Sequence, residues 1–356
     1  MINTVINATA KISAFDRINA SESEYAAFHE FSNRVRAEAW PEDPPTTLEK
    51  TINDWRHIPS YRDVKMWVAW SGNKIIARSH IGITRTQENQ HLADFHIVVL
   101  PEVRGQQIAK QMLRHITEVA QTEKRRLLQT HTDSAIPAGE TAVKRLGARM
   151  GLASHTNQLN LASLDKNLIR TWREHGQKRA DEFEIGLWKG PFPEEELHRI
   201  IPLLEVMNTE PRENLEMEDW KLTPELVRQE EASQLKRKTE RWVMYVRDRK
   251  TREFAGFTEI YWNPAEPENL YQGGTGVLPT YRNKGLGRWI KAAMLETALQ
   301  ERPQVKRVRT GNANSNGPML KINHELGFKP YKSWIDWQVE LDKVLEYINQ
   351  KHAKGV

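Results

Sequence analysis

The chain contains no cysteine. That absence removes disulfides, thiolate nucleophiles and cysteine-bound zinc, and no feature of the composition points to an oxidising compartment. Net charge is scarce as well: 52 Lys and Arg against 47 Asp and Glu leave +5 over 356 residues. So small a surplus suits binding of a polyanionic small molecule, and it falls short of the concentrated basic face that nucleic acid requires. Long apolar runs are missing too. No stretch approaches a membrane span, and the opening MINTVINATAKISAFDR alternates like a strand, without a signal peptide's basic start and apolar run. We therefore expect a soluble cytoplasmic protein with no nucleic-acid partner, no membrane partner and no metal site, either monomer or homodimer.

What is present is present twice. Residues 99–109 read VLPEVRGQQIA and residues 277–287 read VLPTYRNKGLG. Around them runs the same order of strand and helix patterns: KIIARSHIGI, LADFHIVVL, a helical GQQIAKQMLRHITEVAQ and RLLQTHT in one half, EFAGFTEIYW, NLYQGGTGVLP, GLGRWIKAAMLETALQ and VKRVRT in the other. Arg104 and Arg282 lie 178 positions apart, and Leu146 and Leu326 lie 180 apart, so register drifts by only two residues between distant landmarks. Such persistence indicates internal duplication. A length of 356 residues fits two domains, with the junction near LDKNLIRTWREHGQKRADE.

The later copy carries the chemistry. Its turn offers consecutive N–H groups at a helix amino terminus, which favour an anion. Gly285 and Gly287 remove side chains that would hold a pyrophosphate away, and Arg282 adds positive charge. This R-x-x-G-x-G, preceded by an apolar strand and Pro279, resembles the acetyl-coenzyme-A loop of the GCN5-related N-acetyltransferase (GNAT) family. Asn316, Met319, Ile322, Gly327 and Phe328 reproduce the spacing of that family's following helix-to-strand segment. Taken twice, the resemblance covers nearly the whole chain and is to the tandem form, a class that includes mycothiol-synthase-like proteins.

The resemblance implies an α/β (α+β) fold of two tandem domains, each a mixed, mostly antiparallel twisted sheet flanked by helices. We expect a degenerate first domain over 1–165, a linker helix over 166–182, and an acetyl-CoA-binding, catalytic domain over 183–356. It also implies that QGGTGV forms a bulge where the pantetheine arm pairs with backbone and an N–H near the thioester oxygen stabilises the oxyanion; we assign this to Gly276, Val277 and Leu278. Cofactor contacts are expected from Arg282, Asn283, Lys284, Gly285, Leu286, Gly287 and Arg288, and from Asn312, Asn316 and Met319. The family's tyrosine, a general acid for the leaving thiolate, aligns with Asn323, and an amide cannot give up a proton at neutral pH. Either Asn323 helps by hydrogen bonding alone or Tyr331 supplies the acid.

On the acceptor side, Glu259 is the only carboxylate in the interior of its strand EFAGFTEIYW and is the candidate base for a primary amine. Glu210, Glu213, Glu216, Glu218 and Asp219 form an acidic run suited to a small cationic acceptor. Trp334 and Trp337 flank Asp336 as candidate pocket walls. In the first copy Gln107 and Ala109 replace the glycines, and Ile136, Val143 and Ala148 replace Asn316, Asn323 and Phe328, so chemistry there is not expected. The expected activity is acetyl-CoA-dependent N-acetylation by direct transfer in a ternary complex. A non-catalytic CoA-binding sensor or scaffold, and an aminoacyl or peptidyl transferase on a doubled fold, remain alternatives.

Overall fold

The computed structural model describes residues 10–350. Most of the strand expected from the opening segment lies outside the described residues, whose first element is β1 (Lys11–Ala14). The first half continues with α1 (Glu22–Ala39), α2 (Leu48–Arg56), β2 (Arg62–Ser71), β3 (Lys74–Thr84), β4 (Leu92–Val99), α3 (Ile108–Thr122), β5 (Leu127–Asp133), α4 (Pro137–Arg145) and β6 (Arg149–Asn160). The second half runs through α5 (Lys166–Gln177), β7 (Phe183–Lys189), α6 (Leu197–Leu204), α7 (Pro224–Lys236), β8 (Glu240–Asp248), β9 (Phe254–Trp262), β10 (Asn269–Val277), α8 (Leu286–Glu301), β11 (Arg307–Ala313), α9 (Gly317–Glu325), β12 (Lys329–Glu340) and α10 (Leu341–Asn349). Among the described residues no helix is long and apolar enough to cross a membrane.

Two compact units emerge, and their boundaries differ from a cut at the repeat junction. Unit 1 holds the described residues up to Leu152, Asn214–Met217 and the chain from Ile335; unit 2 holds Ala153–Glu213 and Glu218–Trp334. Residues 166–182, expected as a linker, contain α5, which belongs to unit 2. The reason is burial: Ile169 and Trp172 of α5 join the core of that unit, and Gly176 lies so close to Trp289 that a Cβ there would sit 2.1 Å from its ring. Likewise the late part of β12 and α10 belong to unit 1, where Val339, Leu341, Val344 and Ile348 pack with Ile81, Leu113 and Ile116. Burying one such large apolar side chain stabilises by roughly 1.5–3 kcal/mol.

Each unit has one sheet. In unit 1 the order is β1-β2-β3-β4-β5 with β12 beside β5; in unit 2 it is β6-β11-β10-β9-β8-β7. Neighbours from β1 to β4 and from β10 to β7 are antiparallel, while β4 pairs parallel to β5 and β10 parallel to β11. Those parallel ladders are short: Leu92–Asp94 against Leu127–Gln129, and Asn269–Tyr271 against Arg307–Arg309. All four strands run on past the end of their ladder, leaving an opening at the middle of each sheet.

Candidate active site

In unit 2 the opening is a cavity of about 210 Å³. Gln272–Thr275 of β10 form one side and Thr310–Asn312 of β11 another, with Lys291, Met319, Met207 and Glu210 completing the wall. The register of β10 against β9 shifts between Gln272 and Thr275, so Gly273 and Gly274 form a bulge. Side chains cannot fit there: a Cβ on Gly273 would sit 2.9 Å from Glu259 Oε1, and one on Gly276 would sit 2.2 Å from Val206. The Gly274 N–H donates to Glu259 Oε1 at 3.1 Å, and Gln272 Nε2 donates to the Glu259 carbonyl at 2.6 Å. Glu259 thus stands directly behind the bulge. Burial pushes its carboxyl upward, against the opposing pull of the Gly274 N–H and the Arg241 charge, and the Tyr261 hydroxyl also bonds it.

A second polar group reaches the cavity from α8. Lys291 is 1% exposed, and its Nζ donates to Asn323 Oδ1 at 3.0 Å and lies 3.9 Å from Met319 Sδ. It has no acidic partner among the described residues, and burial lowers its ammonium to about 7. Asn323 Nδ2 in turn donates to Asn312 Oδ1 at 2.8 Å, as does Asn157 Nδ2 at 3.2 Å. Both ends of the Asn323 amide are therefore engaged inside the protein. Because lysine only donates, this arrangement fixes which way the amide faces.

The anion loop follows β10. Arg282 Nε donates to the Val277 carbonyl at 3.0 Å, closing the turn, and its Nη2 donates to Thr209 at 3.1 Å. Asn283 and Gly285 adopt φ of +64° and +77°, and no atom lies within 4 Å of the position a Gly285 Cβ would take. The loop surface is open at the helix amino terminus, as an anion site needs. Three expected cofactor residues have other partners. Arg288 forms paired bonds of 2.8 and 2.9 Å with Glu325, the Lys284 ammonium lies over the rings of Phe183 and Tyr281, and Asn316 caps α9 through the Met319 N–H.

The acidic run disperses. Glu210 lines the cavity, its carboxyl raised by partial burial. Asp219 pairs with Arg212 at 2.8 Å, whereas Glu213 and Glu218 are exposed and are not part of the wall. Glu216 belongs to unit 1, where Arg126 bonds it and holds its carboxyl down. A Cβ on Gly311 would meet Trp334 at 3.7 Å, which places that indole beside the cavity. Tyr331 is not in the wall; its ring lies 5.1 Å from the Arg309 guanidinium. Asp336 and Trp337 fall in unit 1, with Asp336 raised to about 6 by burial and Trp337 Nε1 donating to Thr132. The sequence reading missed Lys291. The signal was there: it is the one charged residue within WIKAAML, an apolar run in which every residue is buried.

Unit 1 keeps the frame and fills the opening. His96 and His131 stack there with centroids 4.5 Å apart; by register they stand where unit 2 has the two-glycine bulge and Gly311. Gln107 takes φ +63°, the conformation of Gly285, and Arg104 binds Glu38 through two bonds of 2.7 and 2.6 Å.

Two family models match the chain, one described as an acetyltransferase (GNAT) domain over residues 62–147 and one as the acetyltransferase (GNAT) family over residues 202–328. No curated protein matches. Among solved structures, a tandem GNAT protein from the clavulanic acid biosynthesis pathway is 21% identical, with a TM-score of 0.75 over 93% of this chain and 98% of its own. A GCN5-related N-acetyltransferase from Sphaerobacter thermophilus is 12% identical, with a TM-score of 0.61 over 93% and 96%. A GCN5-related glucosamine N-acetyltransferase region of a fungal multi-domain enzyme is 13% identical, with a TM-score of 0.63 over 93% of this chain and 38% of that one. At these identities the likeness is one of fold.

Proposed function

We propose, for a chain that belongs to the GNAT acetyltransferase family with two domains in tandem, that its second unit moves an acetyl group from acetyl-coenzyme A directly to a primary amine of a small molecule. The observation that carries this reading is the cavity at the end of the β10–β11 ladder, next to an open glycine loop at the start of α8. The loop from Arg282 to Gly287 receives the pyrophosphate, and β10 beyond Tyr271 has backbone groups not taken up by β11. The thioester then reaches β10 beside the bulge, where the N–H of Gly276 or Val277 would stabilise the developing oxyanion; the Gly274 and Leu278 N–H groups are already taken by Glu259 and the Ala255 carbonyl.

The amine must be neutral to attack. Glu259, raised by burial, sits behind the bulge and takes its proton; Glu210 at the wall favours an acceptor that arrives as a cation. With no cysteine to carry the acetyl group, amine and thioester react in one ternary complex, and rate comes mainly from holding them together. The test is free-thiol release from acetyl-CoA with a panel of primary amines, alongside calorimetry of CoA binding. One CoA per chain and amine-dependent thiol release support the reading. Two equivalent sites, or thiol release that no amine stimulates, overturn it.

A further inference from the structure

We propose that Lys291 is the proton donor to the leaving sulfur, a role that rests on the acetyl-transfer reading above. Three observations converge on it. Lys291 is in the cavity wall, whereas Asn323 stands behind it and Tyr331 lies against Arg309. Its ammonium carries three donors, of which Asn323 takes one and Met319 sulfur at 3.9 Å weakly takes a second, leaving one for a group in the cavity. And the chain Lys291–Asn323–Asn312–Asn157 anchors the amine from behind, as a donor that must meet a sulfur in one place requires. In unit 1 the residues aligned with Lys291 and Asn323 are Leu113 and Val143, both buried, so the fold itself needs no polar group at either position.

The chemistry balances. The amine lone pair forms the N–C bond, and the C–S bond breaks with its electrons going to sulfur. Sulfur takes a proton from Lys291 Nζ, leaving a neutral lysine that burial tolerates. The proton on the new amide nitrogen leaves through Glu259 to water, and Lys291 regains one from water. An ammonium near 7 is a stronger acid than an alkyl thiol of about 8.5, so the transfer runs downhill. The groups facing Lys291 leave this titration its own: α9 presents Met319 and Asn323, β10 presents Gln272–Thr275, and β11 presents Thr310–Asn312, none of which titrates. Glu210 at the wall and Glu259 behind the bulge are the carboxylates nearby.

The decisive measurement needs no acceptor: titration of the bound CoA thiol by thiolate ultraviolet absorbance in the full chain. At about pH 6.5, where the ammonium is still charged, bound CoA in the wild type should show roughly ten times the thiolate fraction it shows in Lys291→Met, and that excess should fade as pH rises past 7 and the lysine loses its proton. In turnover, Lys291→Met should lose about 100-fold in kcat with CoA affinity within a few-fold. It should also lose the fall in kcat above about pH 7 that marks deprotonation of this acid. Lys291→Arg keeps the charge without a transferable proton and should not restore kcat. The double variant Lys291→Leu with Asn323→Val copies unit 1 and guards against a folding defect. No thiolate excess over Lys291→Met, or full kcat in Lys291→Arg, overturns the assignment. If the wild type binds no CoA, the transfer reading falls and this one with it; if the excess appears as expected but no amine is acetylated, the acceptor reading fails alone.

Discussion

The two units answer the same architectural problem with opposite contents. Both sheets part after a three-residue parallel ladder, and both start the next helix from a left-handed residue, Gln107 or Gly285. Unit 1 then closes what unit 2 leaves open. Stacked His96 and His131 occupy the parting, β4 runs against β3 without a bulge, and Glu38 neutralises Arg104, where Arg282 bonds the Thr209 hydroxyl and a backbone carbonyl and has no acidic partner among the described residues. The backbone, including its strained loop, outlasts the loss of glycine. A site of this kind is lost by side chains growing into it before the frame changes.

The largest effect should come from importing the plug. Gly311→His copies His131 into unit 2, and its Cβ meets only Trp334 at ordinary contact distance, so the fold should stand. Thiol release should fall by at least about 100-fold, as expected when reacting groups are displaced by an ångström or more; activity within a few-fold of wild type would detach the chemistry from this cavity. The reverse change, His131→Gly, should give no second active site; the ring is exposed, so losing its stack on His96 should lower stability by only about 1 kcal/mol in denaturant titrations.

Next in size is the loop. Gly285→Glu forces a side chain at φ +77° and sets a negative charge on the anion site. Calorimetry should show CoA affinity down about 100-fold, on the order of 3 kcal/mol. Gln107→Glu, at the same conformation in unit 1, should change it by less than a few-fold. Equal losses from the two would mean that unit 1 also binds the cofactor.

Glu259→Gln should lower kcat by about ten- to a hundred-fold. The wild-type base works only when ionised, so kcat should rise with pH through the raised value of Glu259, and the variant should lose that limb. Stability runs the other way. A carboxyl raised in the folded state contributes stability that is present below its unfolded value near 4.5 and lost as pH rises through the folded one. The melting temperature of Glu259→Gln should therefore gain on wild type between pH 4 and 7. A constant difference across that range would show that burial does not act on this group.

The smallest contrast lies in the acidic run. Glu210→Gln should raise KM for a cationic amine a few-fold and flatten its dependence on salt. Glu216→Gln removes a partner of Arg126 in unit 1 and should leave KM unchanged. Steady-state kinetics with the same amine separates the two.

How much of this was legible beforehand follows physical lines. Strands and helices announced themselves by period, and the paired motifs fixed the order of elements, because alternation and helical spacing are local properties. The glycine bulge and the anion loop were local too. Partners were not. A run of five acids reads as one patch in sequence, yet Glu216 answers to Arg126 while Glu210 enters the cavity. Lys291 hid because a helix buried on several faces has no polar side from which a misplaced charge would stand out. The allocation of β6 and β12 was invisible for a deeper reason: the two copies are so alike that either closing strand suits either sheet by pattern.

That allocation sets a timetable for synthesis. In the order of synthesis most of unit 1 precedes unit 2, but the strand beside β5 and the helix whose Val344 and Ile348 complete its core follow unit 2. Early in translation β5 is an unpaired edge, exposed to capture by other strands. Strand β6 is made long before β12, so a nascent chain that closed β5 on β6 would have to exchange partners later. A gene cut at the repeat junction would make that early pairing permanent, and each half would finish with the other's strand.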